Sequence, residues 1–178
     1  MRRVIAILAA AVIAITGCVQ QGPAGSAPGG SQPGVSAAAF PKEIALGAVY
    51  PLTGSQAPTG IDLKNGIDLA VELINSGKAD FNLPLVKDGG GLKNLGGAKL
   101  KIVYGDSQAD PQKGQSETER LITSEKVTAM LGAYNSAVTA TASQAAERLA
   151  IPFVNPDSSS PTLVTNGYNW FFRSTPAD

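Results

Sequence analysis

The chain contains no histidine and only one cysteine, Cys18. Without histidine, a Ser-His-Asp triad cannot be assembled. A single thiol excludes any disulfide within the chain. The formal net charge is +0, so there is no basic field to hold a phosphate backbone, and nucleic acid is excluded as a partner. Neither G-x-G-x-x-G nor G-x-x-x-x-G-K-[ST] occurs, which removes the common nucleotide-binding loops. There is no G-x-S-x-G elbow for a nucleophile and no D-x-D-x-D-G calcium loop. No metal and no cofactor are expected. Asp62, Asp106 and Asp157 are the candidates should two carboxylates meet as a glycosidase pair, although no spacing points to one. The longest apolar run, residues 4–15, covers about 12 residues, short of the roughly 20 that span a bilayer.

That short run has a specific setting. Arg2 and Arg3 precede it and Thr16-Gly17-Cys18 follows, the arrangement of a secretory signal peptide. Ile15-Thr16-Gly17-Cys18 resembles a bacterial lipobox, in which the cysteine is lipidated and becomes the first mature residue. An ordinary signal peptide with an incidental cysteine is the alternative. Residues 19–40 are uncharged and rich in Gly, Pro, Ser, Gln and Ala. They have no apolar face to bury and are expected to form a disordered linker, with a reach of roughly 25 Å. Removing two arginines from 14 basic residues leaves 12 against 14 acidic ones in the mature form.

From residue 41 to 178 the hydrophobic pattern alternates between two periods. "IALGAVY" (44–50), "LKIVY" (100–104), "VTAML" (127–131), "IPFV" (151–154) and "WFF" (170–172) read as strands. Leu63, Ile67, Ala70, Val71 and Ile74 form one helical stripe that Asn75-Ser76-Gly77 stops. Asp110-Pro111 reads as an N-cap and first-turn proline opening a helix with Leu121 and Ile122. Val138, Ala142, Ala145, Ala146 and Leu149 mark a third helix. Near-continuous apolar strands alternating with helices predict an α/β fold with a parallel, doubly wound sheet flanked by helices. The Gly-rich stretch "SGKADFNLPLVKDGGGLKNLGG" (76–97) precedes a strand and reads as a surface insertion, not a phosphate loop.

In an open α/β sheet, ligands bind at the carboxyl ends of strands where the strand order reverses. For order 2-1-3-4 that point lies between the first and third strands, with the fourth alongside. The loops leaving them are "PLTGSQAPTG" (51–60), "GAYNS" (132–136) and "NPDSSSP" (155–161), all rich in small polar residues. The loop after the edge strand, "GDSQADPQ", is expected to lie further away as a turn and cap.

Several stretches together carry a resemblance: "PLTG" with "NGIDLAVELIN", "GAKLKIVYGDSQADPQKG", "LGAYNSAVTATASQAAERLAIPFVNPDSSSPTL" and "WFFRSTPAD". In this order and spacing the chain resembles the leucine/isoleucine/valine-type substrate-binding proteins of bacterial ABC transporters, with the type I periplasmic-binding-protein fold. The resemblance implies two α/β lobes closing on a ligand, of which residues 41–178 would be an incomplete first lobe. It implies an amino acid, amide or related carboxylate as ligand and an ABC permease as partner. A lipid anchor would hold the protein at the periplasmic or extracellular face of the bacterial membrane. By position, Ser136 matches a hydroxyl that binds the ligand carboxylate, and Asp157 and Ser159 match contacts to carboxylate and ammonium. Ser158, between them, joins the candidate site. Thr59 stands where amino-acid binders often place an aromatic ring. Asp157 stands at a commonly small position, and its carboxylate can pair with a ligand ammonium or point away. Tyr134 and Asn135 line the pocket or complete the turn. Ser136 has a second reading as the cap of the third helix, and Ser160, before Pro161, reads as a cap instead of a contact. A sensor of the same fold and, more remotely, an α/β hydrolase are the alternative functions.

Overall fold

The computed structural model describes residues 40–78 and 83–178. Cys18 and nearly all of the linker therefore lie outside the described residues. Five strands, β1 (Glu43–Tyr50), β2 (Lys99–Asp106), β3 (Met130–Gly132), β4 (Phe153–Asn155) and β5 (Phe171–Arg173), form one sheet in the order β2-β1-β3-β4-β5. All four pairings are parallel. The expected order with a fifth strand is the one found.

Strand boundaries are where the sequence reading shifts. The runs at 127–131 and 151–154 become three-residue strands that start later. Pro152 has no N–H to donate, so it contributes to the ladder only by its carbonyl, which accepts from Met130 N at 2.8 Å. Val127 is buried but its N–H turns back to Leu121 O at 3.3 Å, ending α2 instead of opening β3.

Three helices connect the strands: α1 (Ala57–Ser76), α2 (Pro111–Thr123) and α3 (Ser136–Arg148). Right-handed crossovers place α1 on one face and α2 with α3 on the other. The main core lies on the α2/α3 side, built from Val49, Leu121, Ile122, Met130, Val138, Ala142 and Phe153 with their neighbours. Gly114 lets α2 approach α3, since a Cβ there would stand 2.4 Å from Val138 Cγ1. The small stripe Ala142, Ala145, Ala146 is fully buried as expected, but Leu149 closes the helix and is exposed. On the opposite face, the α1 stripe is less covered than its periodicity suggests. Leu63, Ile67, Val71 and Ile74 are half-buried and Ala70 is exposed. α1 ends at Gly77, whose left-handed backbone returns its N–H to Leu73 O at 2.9 Å.

The described part of the Gly-rich insertion folds back on the end of α1. Gly91 N donates to Ile74 O at 2.7 Å, and Lys99 Nζ donates to Asn75 O at 2.5 Å. The Asn75 side chain also donates to Leu100 O and accepts from Leu100 N, both at 2.7 Å. It forms no strand-to-helix junction, and the surface-insertion reading describes it.

Candidate functional site

The loops after β1, β3 and β4 leave neighbouring strands at one end of the sheet, and β2 lies outside them. The loop after β1 turns directly into α1. Gly60 makes that possible, because a Cβ there would meet Pro51 O at 1.9 Å. Thr59 sits in this first turn, half-buried.

Asp106, at the end of β2, fixes the same loop. Its carboxylate accepts from Leu52 N at 2.8 Å, Thr53 N at 3.2 Å, the Thr53 hydroxyl at 2.5 Å and Gln108 N at 3.0 Å. Burial alone would raise its pKa, but these bonds outweigh it and hold the carboxyl below the ordinary range. The "GDSQADPQ" loop thus does more than the distant turn expected of it. It reaches back to position the β1 loop, while Asp110 caps α2 through Lys113 N at 2.8 Å.

The loop after β3 is tied down by side chains from β4 and α3. Asn155 Nδ2 donates to Gly132 O at 2.8 Å and to Ala133 O at 3.1 Å. The Thr139 hydroxyl lies 3.2 Å from Ala133 N, from which it accepts, and 3.0 Å from Ala133 O. Ser158 completes the knot: its hydroxyl meets Thr139 Oγ1 at 2.6 Å, Ala133 O at 2.7 Å and Tyr134 O at 3.1 Å. Ser158 is 2% exposed, so its hydroxyl faces inward and is used up by the framework. This corrects the expectation of a ligand contact there, and it partly answers why a buried strand should run into three serines. One of them staples two loops together.

The remaining candidates stand around this knot. Asn135 is the N-cap of α3, yet its side chain makes no capping bond and its Oδ1 is buried without a partner. Ser136 is the first helical residue and half-buried, so the cap reading belongs to Asn135 by position. The Tyr134 ring is 41% exposed beside the helix start. Ser159 is half-buried; its hydroxyl donates to Asp178 Oδ2 at 2.5 Å, and its carbonyl accepts from Arg173 Nη1 at 3.2 Å. Ser160 occupies the cap position of a single 3-10 turn, Pro161–Val164, but its hydroxyl meets Thr162 Oγ1 at 3.0 Å and caps no backbone N–H. The expected position is correct and the expected capping bond is missing.

Asp157 turns inward to a residue that the sequence reading passed over. Tyr50 Oη donates to its Oδ2 at 2.9 Å. Burial raises the Asp157 pKa, and the tyrosine hydrogen bond offsets only part of that. Tyr50, 1% exposed, is raised by burial first and then by the charge and hydrogen bond of Asp157. Tyr50 therefore stays a protonated phenol and is the donor of the pair. Tyr50, Asn155, Thr139 and Arg173 were legible only as polar groups inside or beside apolar runs, a signal that marks position but not partner.

Among the described residues no group of three histidine, cysteine, aspartate or glutamate side chains could hold a metal ion. Known proteins are similar to this chain in sequence and fold. A leucine/isoleucine/valine-binding protein homolog from Brucella abortus is 30% identical over 134 residues, covering 75% of this chain and 29% of the relative. The branched-chain amino acid transporter substrate-binding protein LivJ from Streptococcus pneumoniae, solved in complex with isoleucine, superposes with a TM-score of 0.64 at 28% identity. That match covers 76% of this chain and 34% of the other. An ABC transporter substrate-binding protein from Desulfitobacterium hafniense gives a TM-score of 0.59 at 26% identity, over 76% of this chain and 34% of its own. The chain thus spans about a third of the length of the relatives it matches. The family model described as periplasmic binding protein matches residues 43–178, which takes in all five strands and the three polar loops. The chain belongs to the periplasmic binding protein family.

Proposed function

We propose that the protein is the extracytoplasmic solute-binding component of an ABC transporter, anchored by a lipid on Cys18. It captures an amino acid, an amide or a related small carboxylate and delivers it to a membrane permease. The observation that carries this reading is the start of α3 at the switch between β1 and β3. No side chain caps it, and half-buried Ser136 stands in its first turn. First-turn N–H groups without a side-chain acceptor lie at the positive end of the helix dipole and favour a carboxylate. Ser159 re-aims its hydroxyl from Asp178 to the ligand, and Asp157 lies beside it. Asn135 and Thr59 line the wall, and the exposed Tyr134 ring supplies the aromatic face that Thr59 lacks. The relatives support the ligand class: one is a leucine/isoleucine/valine-binding homolog and one was solved with isoleucine.

Hydrogen bonds to a charged group contribute about 1.5–3 kcal/mol each. In the full-length protein, titration calorimetry against a panel of L-amino acids is therefore expected to give binding that Ser159→Ala weakens roughly ten- to a hundredfold. Ser160→Ala is expected to leave affinity unchanged. The site assignment fails if Ser159→Ala binds like wild type and Ser160→Ala does not. The anchor is tested separately. Cys18→Ser should abolish metabolic lipid labelling and leave an unprocessed precursor, because the thiol that would carry the lipid is removed. Unchanged labelling in that variant sinks the anchor.

A further inference from the structure

The end of the sheet opposite the three polar loops carries a charge that the site does not use. Residues 42–43 and 78–101 hold six lysines, Lys42, Lys78, Lys87, Lys93, Lys99 and Lys101, against three acids, Glu43, Asp80 and Asp88. The rest of residues 41–178 holds six basic residues against eleven acidic ones. The fold gathers the lysines at one corner. β1 and β2 begin side by side, with Glu43 opposite Lys99 and Lys99 N donating to Lys42 O at 2.9 Å. α1 ends beside them, where Lys99 Nζ reaches Asn75 O at 2.5 Å. The insertion closes over that corner through two antiparallel bridges, Val86 with Leu92 and Leu92 with Ala98. A Cβ at Gly97 would stand 3.6 Å from Lys87 Nζ, and one at Gly96 3.5 Å from Phe40 Cδ2. Lys87 and Phe40 therefore lie over adjacent residues.

Little of this charge is answered. Lys101 meets Glu43 at 3.9 Å with both side chains more than half exposed, and Lys99 is held by backbone carbonyls. Lys42, Lys87 and Lys93 are exposed and form no ion pair among the described residues. Arginines elsewhere are neutralised, Arg120 by Glu117 and Glu125 and Arg148 by Glu119. Apolar groups protrude among the lysines. Leu85 is 65% exposed and Phe40 55%. Beside Leu85, the side chains of Ile74, Leu83, Pro84, Val86 and Leu92 line an apolar groove of about 220 Å³. Lysines around protruding apolar side chains suit a lipid surface, with ammonium groups at the phosphates and apolar groups at the acyl boundary.

Connectivity selects the same partner. The linker of residues 19–40 joins the folded body at this corner and leads back to Cys18. Its reach is roughly 25 Å. A surface tethered that near a bilayer has a high effective concentration there, so a weak attraction is enough to hold it. An acidic protein would also answer the lysines, but nothing brings one to this corner, whereas the proposed anchor brings a bilayer. We infer that the β1–β2 corner, with residues 83–98 of the insertion, is a membrane-contact face for anionic phospholipid. Lys42, Lys87 and Lys93 meet headgroup phosphates, and Leu85 and Phe40 enter the interface. Docked in this way, the body turns the loops after β1, β3 and β4 away from the bilayer. This face is independent of the ligand and takes from the solute-binding reading only the nearness of the bilayer.

The test is lysine footprinting of the full-length protein on vesicles of phosphatidylcholine alone or mixed with phosphatidylglycerol. A water-soluble acylating reagent is added, and the rate at each lysine is read by mass spectrometry. On anionic vesicles at about 0.1 M salt, Lys42, Lys87 and Lys93 are expected to react roughly tenfold more slowly, with Lys113 at the start of α2 unchanged. At about 1 M salt, where the screening length shrinks to about 3 Å, this protection is expected to disappear. Lys87→Glu and Lys93→Glu together are expected to abolish protection of Lys42, and Leu85→Ser to reduce it a few-fold. Lys113→Glu is expected to leave it intact. The substituted residues are all exposed, and matching thermal melts exclude misfolding. Equal protection on neutral and anionic vesicles, equal protection of Lys113, or protection that survives high salt overturns the assignment. So does a double charge reversal that leaves Lys42 protected. Lysines that stay unprotected on both vesicles are left to an acidic protein partner, which also overturns it. Flotation with the neutral vesicles reads the anchor separately: a chain that floats only with anionic vesicles, these lysines protected, refutes the anchor and keeps this face.

Discussion

Asp106, the last residue of β2, and Asp157, on the loop after β4, stand at the same end of one sheet, and their surroundings push them in opposite directions. Asp106 collects three backbone N–H groups and one hydroxyl, and its pKa falls. Asp157 collects one phenol, loses water, and its pKa rises. The first carboxylate is an internal cap whose charge the protein itself answers. The second is held in place and left unanswered. The pattern of donors therefore separates an acid that several groups satisfy from one held by a single partner, even though both sit at strand ends.

The largest way to break this contrast is to remove the satisfied partner. Asp106→Ala strips four donors of their acceptor and releases the β1 loop, and denaturant unfolding of the full-length protein should show a loss of about 2 kcal/mol. Ser158→Ala removes the hydroxyl that staples the β3 and β4 loops, with an expected loss of about 1–2 kcal/mol by the same measurement. Stability against pH should then sharpen the comparison, because the two carboxylates contribute with opposite sign. The Asp106 pKa is depressed, so its contribution is present above the unfolded value of about 4 and is lost as pH falls through the folded value below it. The advantage of wild type over Asp106→Asn should close on acidification through that window. The Asp157 pKa is raised, so its penalty sets in as pH rises from about 4 through the folded value above it. Asp157→Asn should gain on wild type over that interval; a gap that widens on acidification instead would contradict the burial argument. The size of that gain is small, within about 0.5 kcal/mol near neutral pH, because the group is only half-buried. Ser160→Ala should be the quietest change, also within about 0.5 kcal/mol, since its hydroxyl reaches only Thr162 and caps no backbone group.

The parallel sheet, its order and all three helices were legible because burial on two faces writes continuous apolar strands and 3.6-residue stripes into the chain. The helix stops at Gly77 and the cap at Asp110 were legible for the same local reason. Side-chain partners across the sheet end were not. Three adjacent serines look alike in sequence, yet Ser158 is buried in a knot, Ser159 faces Asp178 and Ser160 touches Thr162. What separates them is the direction of each residue in a loop without a period. Tyr50 lay hidden at the end of an apolar run where a long side chain reads as core, and the contact that gives it meaning is 107 positions away. Asp106 lies in a stretch that reads as a turn and cap, yet three of its four donors come from residues 53 and 54 positions earlier.

The Asn75 side chain, which pairs with both backbone groups of Leu100, has a consequence for the sheet as a surface. β2 is an outer strand, and its outward-facing amides would offer a template to any extended chain nearby. Asn75 occupies the outward N–H and C=O of Leu100 as a neighbouring strand would. Two residues beyond Ile102, Arg120 Nη2 reaches the carbonyl of Tyr104 at 3.4 Å. Of the three residues between them only Ile102 turns its backbone groups outward, and among the described residues that is too little free edge to seed a strand. An edge occupied in this way resists zipping into a shared sheet with a second copy of the chain.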